Sequence, residues 1–223
     1  MRPKTNYSYI AGHSLERLSA LSDGIFAVAM TLLVLDLTVP AVEAAHGQQP
    51  LWVNGAIQSE QILWDALVKL SPRLLTYFMS FLTLGIFWLG QQTQLNYFAR
   101  SNRNLAWIHL SFLFAVALLP FSTRLLADFI DYRLALIVYW LNLLLLGVVL
   151  FGSWRYARRA GLMKDEATAE IRSATDRRIV IYQALYAFSA SLCVINTYVS
   201  IVFIILLQLN SAIAPRIPLL DRF

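Results

Sequence analysis

The sequence predicts an all-α polytopic membrane protein with six transmembrane helices per subunit and both termini in the cytoplasm. Three observations predict it. Of the 223 residues, 58% are hydrophobic and only 14% are charged, a balance too apolar for a soluble domain of this length. The apolar residues fall in long runs, near the ~20 residues needed to cross the hydrocarbon core. The basic residues concentrate in alternate loops, which is the pattern of membrane orientation.

The whole of 1–223 reads as one transmembrane domain. The first span is expected at about 18–39, stopped by Pro40, and is too long and too late to be a cleaved signal peptide. The segment 41–61 holds Gly47, Pro50 and Gly55 and reads as an exposed loop. A short lead-in helix at 62–70 precedes the second span, 74–90, with Pro72 as a first-turn proline or a kink. The third span is expected at 105–126 with Pro120 inside it, and the fourth at 134–154. The tract 155–178 mixes Arg155, Arg158, Arg159, Lys164, Arg172, Arg177 and Arg178 with Asp165, Glu166, Glu170 and Asp176. It reads as a solvated helical linker, and its mixed signs argue against nucleic acid as a partner. The apolar run from Ile179 to Ala214 is too long for one span at ~1.5 Å per residue. Asn196-Thr197 divides it into spans at 179–194 and 198–213.

Loop charges orient the chain. Segment 40–65 carries Glu43, Glu60 and Asp65 and no base, whereas 91–104 carries Arg100 and Arg103 and no acid. Arg124, Asp128, Asp131 and Arg133 balance in the third loop. The basic tract is the fourth loop, and the tail has Arg216 and Arg222. An even number of spans, with loops two and four inside, satisfies the positive-inside rule.

The chain has no phosphate-binding Gly-x4-Gly-Lys, no Gly-x-Gly-x-x-Gly, no His-Glu-x-x-His and no Gly-x-Ser-x-Gly. His13, His46 and His109 have no metal-ligand spacing, and the single Cys193 permits no intrachain disulfide. These absences argue against an enzyme.

The chemistry therefore sits with polar groups in apolar helices, which are costly and point to function. Arg17, Ser22 and Asp23 stand at the mouth of the first span, and Thr31 and Asp36 lie within it. Val28, Thr31, Leu32 and Leu35 recur at i, i+3, i+4 and i+7, one helical stripe. The stripe fits helix packing, with Thr31 bonded to its own helix. The sharper reading is a pore wall in a symmetric oligomer, apolar rings forming a constriction and Thr31 hydroxyls a coordinating ring. Asp23 lies about 140° around the helix from Val28 and is expected to face neighbouring helices. Arg17 is not spaced to pair with it on one helix face and can snorkel to lipid phosphates. Asp36, near the outer end, either draws cations to an entrance or is simply solvated. Trp88, Gln91, Gln92, His109, Asn142 and Gln208 suit interhelical hydrogen bonds, and His109 suits a proton relay as well. Pro120 frees the carbonyl of Val116, with Ser122 and Thr123 close enough to repair the kink.

The motif Arg17-x-x-x-Leu21-Ser22-Asp23-Gly24-Ile25-Phe26-Ala27 resembles the Arg-x-x-x-Phe-Ser-Asp signature of the transmembrane protein 175 family, the lysosomal potassium channels and their prokaryotic relatives. Ser80-Phe81 to Phe87-Trp88, Trp107, and Leu119-Pro120-Phe121-Ser122-Thr123 resemble its second and third helices. The resemblance implies a potassium-permeable channel in a prokaryotic cell membrane, a homotetramer embedded in the lipid bilayer, with K+ as its ligand and no cofactor. It places the constriction at Val28, Leu32 and Leu35. It places selectivity at Thr31, with a potassium ion passing near that residue. It groups Arg17, Ser22, Asp23, Trp88, Gln91 and His109 into a structural polar network. Leu21 stands where the family has phenylalanine, and Gln91 and His109 stand where histidine and asparagine are common. Val28 is smaller than the usual leucine or isoleucine, which suggests a wider and less selective constriction. The rival reading is a proton channel or proton-coupled transporter built on Asp23 and His109.

Overall fold

The computed structural model describes residues 14–39, 52 and 56–213, the side chains of 56–59 excepted. The expected N-terminal segment, most of the first loop with Glu43, and the tail with Arg216 and Arg222 lie outside the described residues. The described chain is helical, with an isolated bridge between Phe98 and Met163 in place of strands.

Helix α1 spans Leu15–Leu35. Ser14 caps it, its Oγ accepting the Arg17 N–H at 3.2 Å. The helix ends at Leu35, earlier than the expected Val39. The backbone then turns, Leu37 N–H bonding Val34 O at 3.0 Å and Thr38 N–H bonding Asp36 O at 3.1 Å. Thr38 and Val39 are β-branched, and Val39 also precedes Pro40, so neither favours another helical turn.

Helix α2 runs unbroken from Ala56 to Tyr97, 42 residues, with Pro72 inside it. The separate lead-in helix at 62–70 and the loop reaching residue 61 are thus corrected. Pro72 removes one backbone hydrogen bond, and the helix continues through it. At ~1.5 Å per residue α2 is about 63 Å long, roughly twice the ~30 Å hydrocarbon core.

Helix α3 is Arg103–Asp128, capped by Asn102, and packs most extensively on α4, Arg133–Arg159. Asn142 of α4 reaches the turn that Pro120 opens in α3. In the amide orientation that satisfies both ends, it donates to Ala115 O at 3.0 Å and accepts from Leu119 N–H at 3.1 Å. Ser122 and Thr123 bond Leu119 O, not the Val116 carbonyl expected from the sequence.

The tract 155–178 is not one helical linker. Helix α4 closes at Gly161, whose φ of 65° is left-handed. Gly161 N–H bonds Arg158 O at 3.4 Å and Leu162 N–H bonds Ala157 O at 3.0 Å, the paired bonds of a glycine-terminated helix end. Helix α5 then starts at Ala169, well before the expected 179, and runs to Ser191. A short 3-10 turn, Leu192–Val194, leads to α6, Thr197–Ile213. Asn196 marks the break, its side chain accepting the Tyr198 N–H at 2.7 Å.

The main core joins Phe26, Ala29 and Leu33 of α1 to Met79, Leu84 and Phe87 of α2, Phe112 and Val116 of α3, and Tyr139 and Leu143 of α4. Four helices, α1 to α4, are long and apolar enough to cross a membrane, and α6 is a shorter apolar helix.

Candidate pore-lining helix and its polar frame

Helix α1 has two unlike sides. Ser22, Phe26, Ala29 and Leu33 face the bundle and are buried. Phe26 sits 6.0 Å from the Phe112 ring, which lies 6.4 Å from Phe87. The other side carries Leu21, Gly24, Val28, Thr31, Leu32 and Leu35, all exposed, with Ala27 and Val34 widening the arc. Val28 is 54% exposed and Leu35 72%. Of the four long apolar helices, α1 is the least covered by its own chain. Thr31 Oγ1 donates to Val28 O at 2.8 Å, one residue closer than the carbonyl four back. With its proton spent inside the helix, the hydroxyl presents lone pairs outward, and these are the atoms a cation uses.

The inner end of α1 is fixed by two polar clusters. Ser22 Oγ lies 2.7 Å from His109 Nε2 and accepts from Gln91 Nε2 at 2.6 Å; Gln91 Nε2 is also 3.0 Å from His109 Nε2. All three residues are buried, His109 to 5% exposure. Beside them, Asp23 Oδ1 accepts from Trp88 Nε1 and Gln92 Nε2, both at 2.8 Å. Asp23 therefore turns toward α2, away from the Val28 stripe. Arg17 stands apart: it is exposed, and no ion pair joins it to Asp23 among the described residues. Gln92, grouped by sequence only with general interhelical donors, contacts Asp23 as directly as Trp88 does.

The outer end corrects the reading of Asp36. It is neither a free cation attractor nor simply solvated. Arg124 Nη1 lies 3.5 Å from it, and Arg124 Nε lies 3.8 Å from Asp128. Arg73 pairs with Asp128 at 3.1 Å and donates to Thr38 Oγ1 at 3.3 Å. The charges there form a chain across α1, α2 and α3.

A third cluster escaped sequence reading. Tyr139 OH lies 2.9 Å from Thr83 Oγ1 and 3.3 Å from Ser80 Oγ. Thr123 donates to Ser80, and Gln208 Nε2 donates to Thr83, each at 2.7 Å. Four helices meet there through buried hydroxyls. The available signal was Ser80 and Thr83 at i and i+3 on an apolar helix.

This geometry can be set against known proteins. The family model described as endosomal/lysosomal potassium channel TMEM175 matches residues 17–120. A protein of Streptomyces collinus described as a potassium channel is 30% identical over 185 residues, covering 81% of this chain and 82% of that one. The chain belongs to the TMEM175 family. A crystal structure of a lysosomal potassium-selective channel TMEM175 homolog from Chamaesiphon minutus superposes with a TM-score of 0.71 at 24% identity, covering 90% of this chain and 97% of that one. That likeness establishes the polytopic helical fold. The endosomal/lysosomal proton channel TMEM175 of Gallus gallus is 30% identical over 118 residues, 53% of this chain but only 22% of that protein. The TMEM175 match over 17–120 takes in nearly all of α1, all of α2 and most of α3, the helices that build both inner clusters.

Proposed function

We propose that this TMEM175 family member conducts K+ passively across a prokaryotic cell membrane, as a homotetramer whose α1 helices surround the pore. The observation that carries the reading is the exposed stripe Leu21, Gly24, Val28, Thr31, Leu32 and Leu35, set opposite the buried face of α1. Four copies arranged with these stripes inward make apolar rings at Val28, Leu32 and Leu35, and a hydroxyl ring at Thr31. Apolar rings gate by dewetting, and a hydroxyl ring supplies oxygens to a partly dehydrated cation. The chain acts as a conduit and performs no reaction. Both termini lie in the cytoplasm, an orientation supported by Arg100, Arg103 and the basic tract at the inner end. Arg17, Ser22, Asp23, Trp88, Gln91 and His109 serve the frame of α1: Ser22, Gln91 and His109 in one cluster, Asp23 and Trp88 in the other, and Arg17 outside both.

Single-channel recording in liposomes tests this. Unitary K+ steps far above transporter turnover are expected. Val28→Asn, by wetting the constriction, raises open probability or conductance, and Val28→Ala widens the constriction and lowers selectivity. Unchanged currents in both variants count against a Val28 constriction.

A second reading, proton conduction, is favoured by the Ser22–Gln91–His109 cluster, which sets a ring nitrogen against a hydroxyl. It predicts acidification of liposomes under a pH gradient with K+ absent, and loss of that flux in His109→Phe with K+ currents retained. Asp23 is engaged by Trp88 and Gln92, so His109 is the residue on which this reading turns.

A further inference from the structure

Two loops far apart in sequence are stitched together at the inner end of the bundle. Phe98 and Met163 form an antiparallel bridge. Ala99 N–H donates to Leu162 O at 2.8 Å, and Lys164 N–H donates to Tyr97 O at 2.9 Å. Under the bridge lies a separate apolar cluster of Phe98, Leu105, Trp154, Ala157 and Leu162. The Phe98 and Trp154 rings are 6.1 Å apart. The corner is therefore braced from below, and the side chains around it start from fixed backbone.

Arg100 and Arg103 follow Phe98 in the chain, and Arg159 and Lys164 flank Met163. All four are exposed, and among the described residues none is in an ion pair. Other cations of the basic tract are committed. Arg158 pairs with Asp176 at 2.6 Å, and Arg172 donates to Ala167 O at 2.6 Å. Arg155 and Arg178 lie over the rings of Phe151 and Tyr182. Asp165 and Glu166 follow Lys164, yet the corner stays net positive.

One residue fixes the depth of this corner. Trp107 is 60% exposed and lies four residues after Arg103, on the same face of α3 one turn further into the bundle. An exposed tryptophan at the end of a membrane helix settles at headgroup level. Arg103 is then about 6 Å nearer the water, where lipid phosphates lie.

We propose that this corner binds the phosphate headgroup of an anionic phospholipid, with Arg100, Arg103, Arg159 and Lys164 holding the phosphate and Trp107 packing against the glycerol and upper acyl chain. Guanidinium forks match phosphate oxygens in pairs. The tryptophan is what favours a lipid over a free phosphate, since a soluble anion has no use for an apolar wall. The inference stands on membrane embedding and is independent of conduction.

Full-length protein in detergent, titrated with phosphatidylglycerol and, separately, phosphatidylcholine, tests it by native mass spectrometry. Retention of phosphatidylglycerol over phosphatidylcholine is expected. Each of Arg100→Gln and Arg103→Gln weakens that retention about 5-fold, and the double variant on the order of 20-fold. Lys69→Gln removes the same charge from an exposed site on the outer half of α2 and leaves retention unchanged. Trp107→Ala weakens phosphatidylglycerol binding while leaving the charges intact. Should the double variant fail to fold, the single variants decide. Equal retention of the two lipids, wild-type retention in both single arginine variants, or competition by glycerol phosphate as effective as that by the lipid would overturn the proposal.

Discussion

At the scale of the residue, the most consequential atom in the frame is the Ser22 hydroxyl. It touches α3 through His109 and α2 through Gln91, and bonds Leu18 O of its own helix at 3.0 Å. Truncating it leaves a buried amide donor and a buried ring nitrogen without their shared partner. Ser22→Ala is therefore expected to cost about 1–3 kcal/mol, read as a lowered unfolding midpoint in detergent. A neighbouring half-buried serine, Ser19, has only 3.5 Å contacts with Gln92. Ser19→Ala is expected to fall within ~0.5 kcal/mol of wild type, which makes it the control. The departure from the family signature reads coherently at this scale. Gln91 supplies the donor that meets both Ser22 and His109, so the altered pair still closes around the serine.

At the scale of the element, α1 is a helix held at its two ends and open along one side. Its inner end is held by buried neutral hydrogen bonds and by Asp23, its outer end by exposed ion pairs. The two anchors respond differently to salt. Arg124 is well exposed, so its pair with Asp36 contributes at most about 1 kcal/mol to stability. Arg124→Gln is expected to leave the unfolding midpoint nearly unchanged. It removes a positive charge beside Asp36 and Asp128, so the outer face becomes more negative. Cation current is expected to rise at ~0.01 M salt, where the screening length is about 30 Å, and to match wild type at ~1 M, where it is about 3 Å. A rise that persists at high salt contradicts this electrostatic account. The proline of α2 makes a related point about elements. The helix start or kink expected at Pro72 is replaced by continuous helix, which loses only the one bond that proline cannot make.

At the scale of the whole molecule, the pattern of what sequence conveyed follows from physical range. Helix membership was legible because it depends on local apolar runs. The Asn196 break was visible as a polar pair in an apolar stretch, and Asn196 does cap α6. The contacts of Ser22 with Gln91 and His109, and of Asp23 with Trp88, entered through the family motif, since no spacing in one helix encodes a partner in another. Arg17 belongs to that motif yet stays outside the contacts. The Ser80–Thr83–Thr123–Tyr139–Gln208 cluster was hidden because hydroxyls in apolar helices bond their own backbone as readily as a neighbour. The Phe98–Met163 bridge was hidden because two loops met. The end of α4 was readable in principle from Gly161 followed by Leu162, the sequence of a helix stop.

The same scale carries the expectation of assembly. A stripe as apolar and open as that of α1 needs lipid or other copies against it. Native mass spectrometry of the purified protein is expected to give four times the 25.3 kDa chain mass. A monomer as the dominant species would leave the stripe facing lipid and remove the pore.

The central claim is that the exposed stripe of α1 lines the conduction path, and cysteine accessibility tests it most directly. Cys193 is buried and is the chain's one cysteine, so a Cys193→Ala background permits single cysteines along α1. Liposome K+ flux is measured before and after a water-soluble thiol reagent. The account predicts block at positions 28, 31, 32 and 35, and none at 26, 29 and 33. Block at the buried set, or undiminished flux at all four exposed positions, would contradict it.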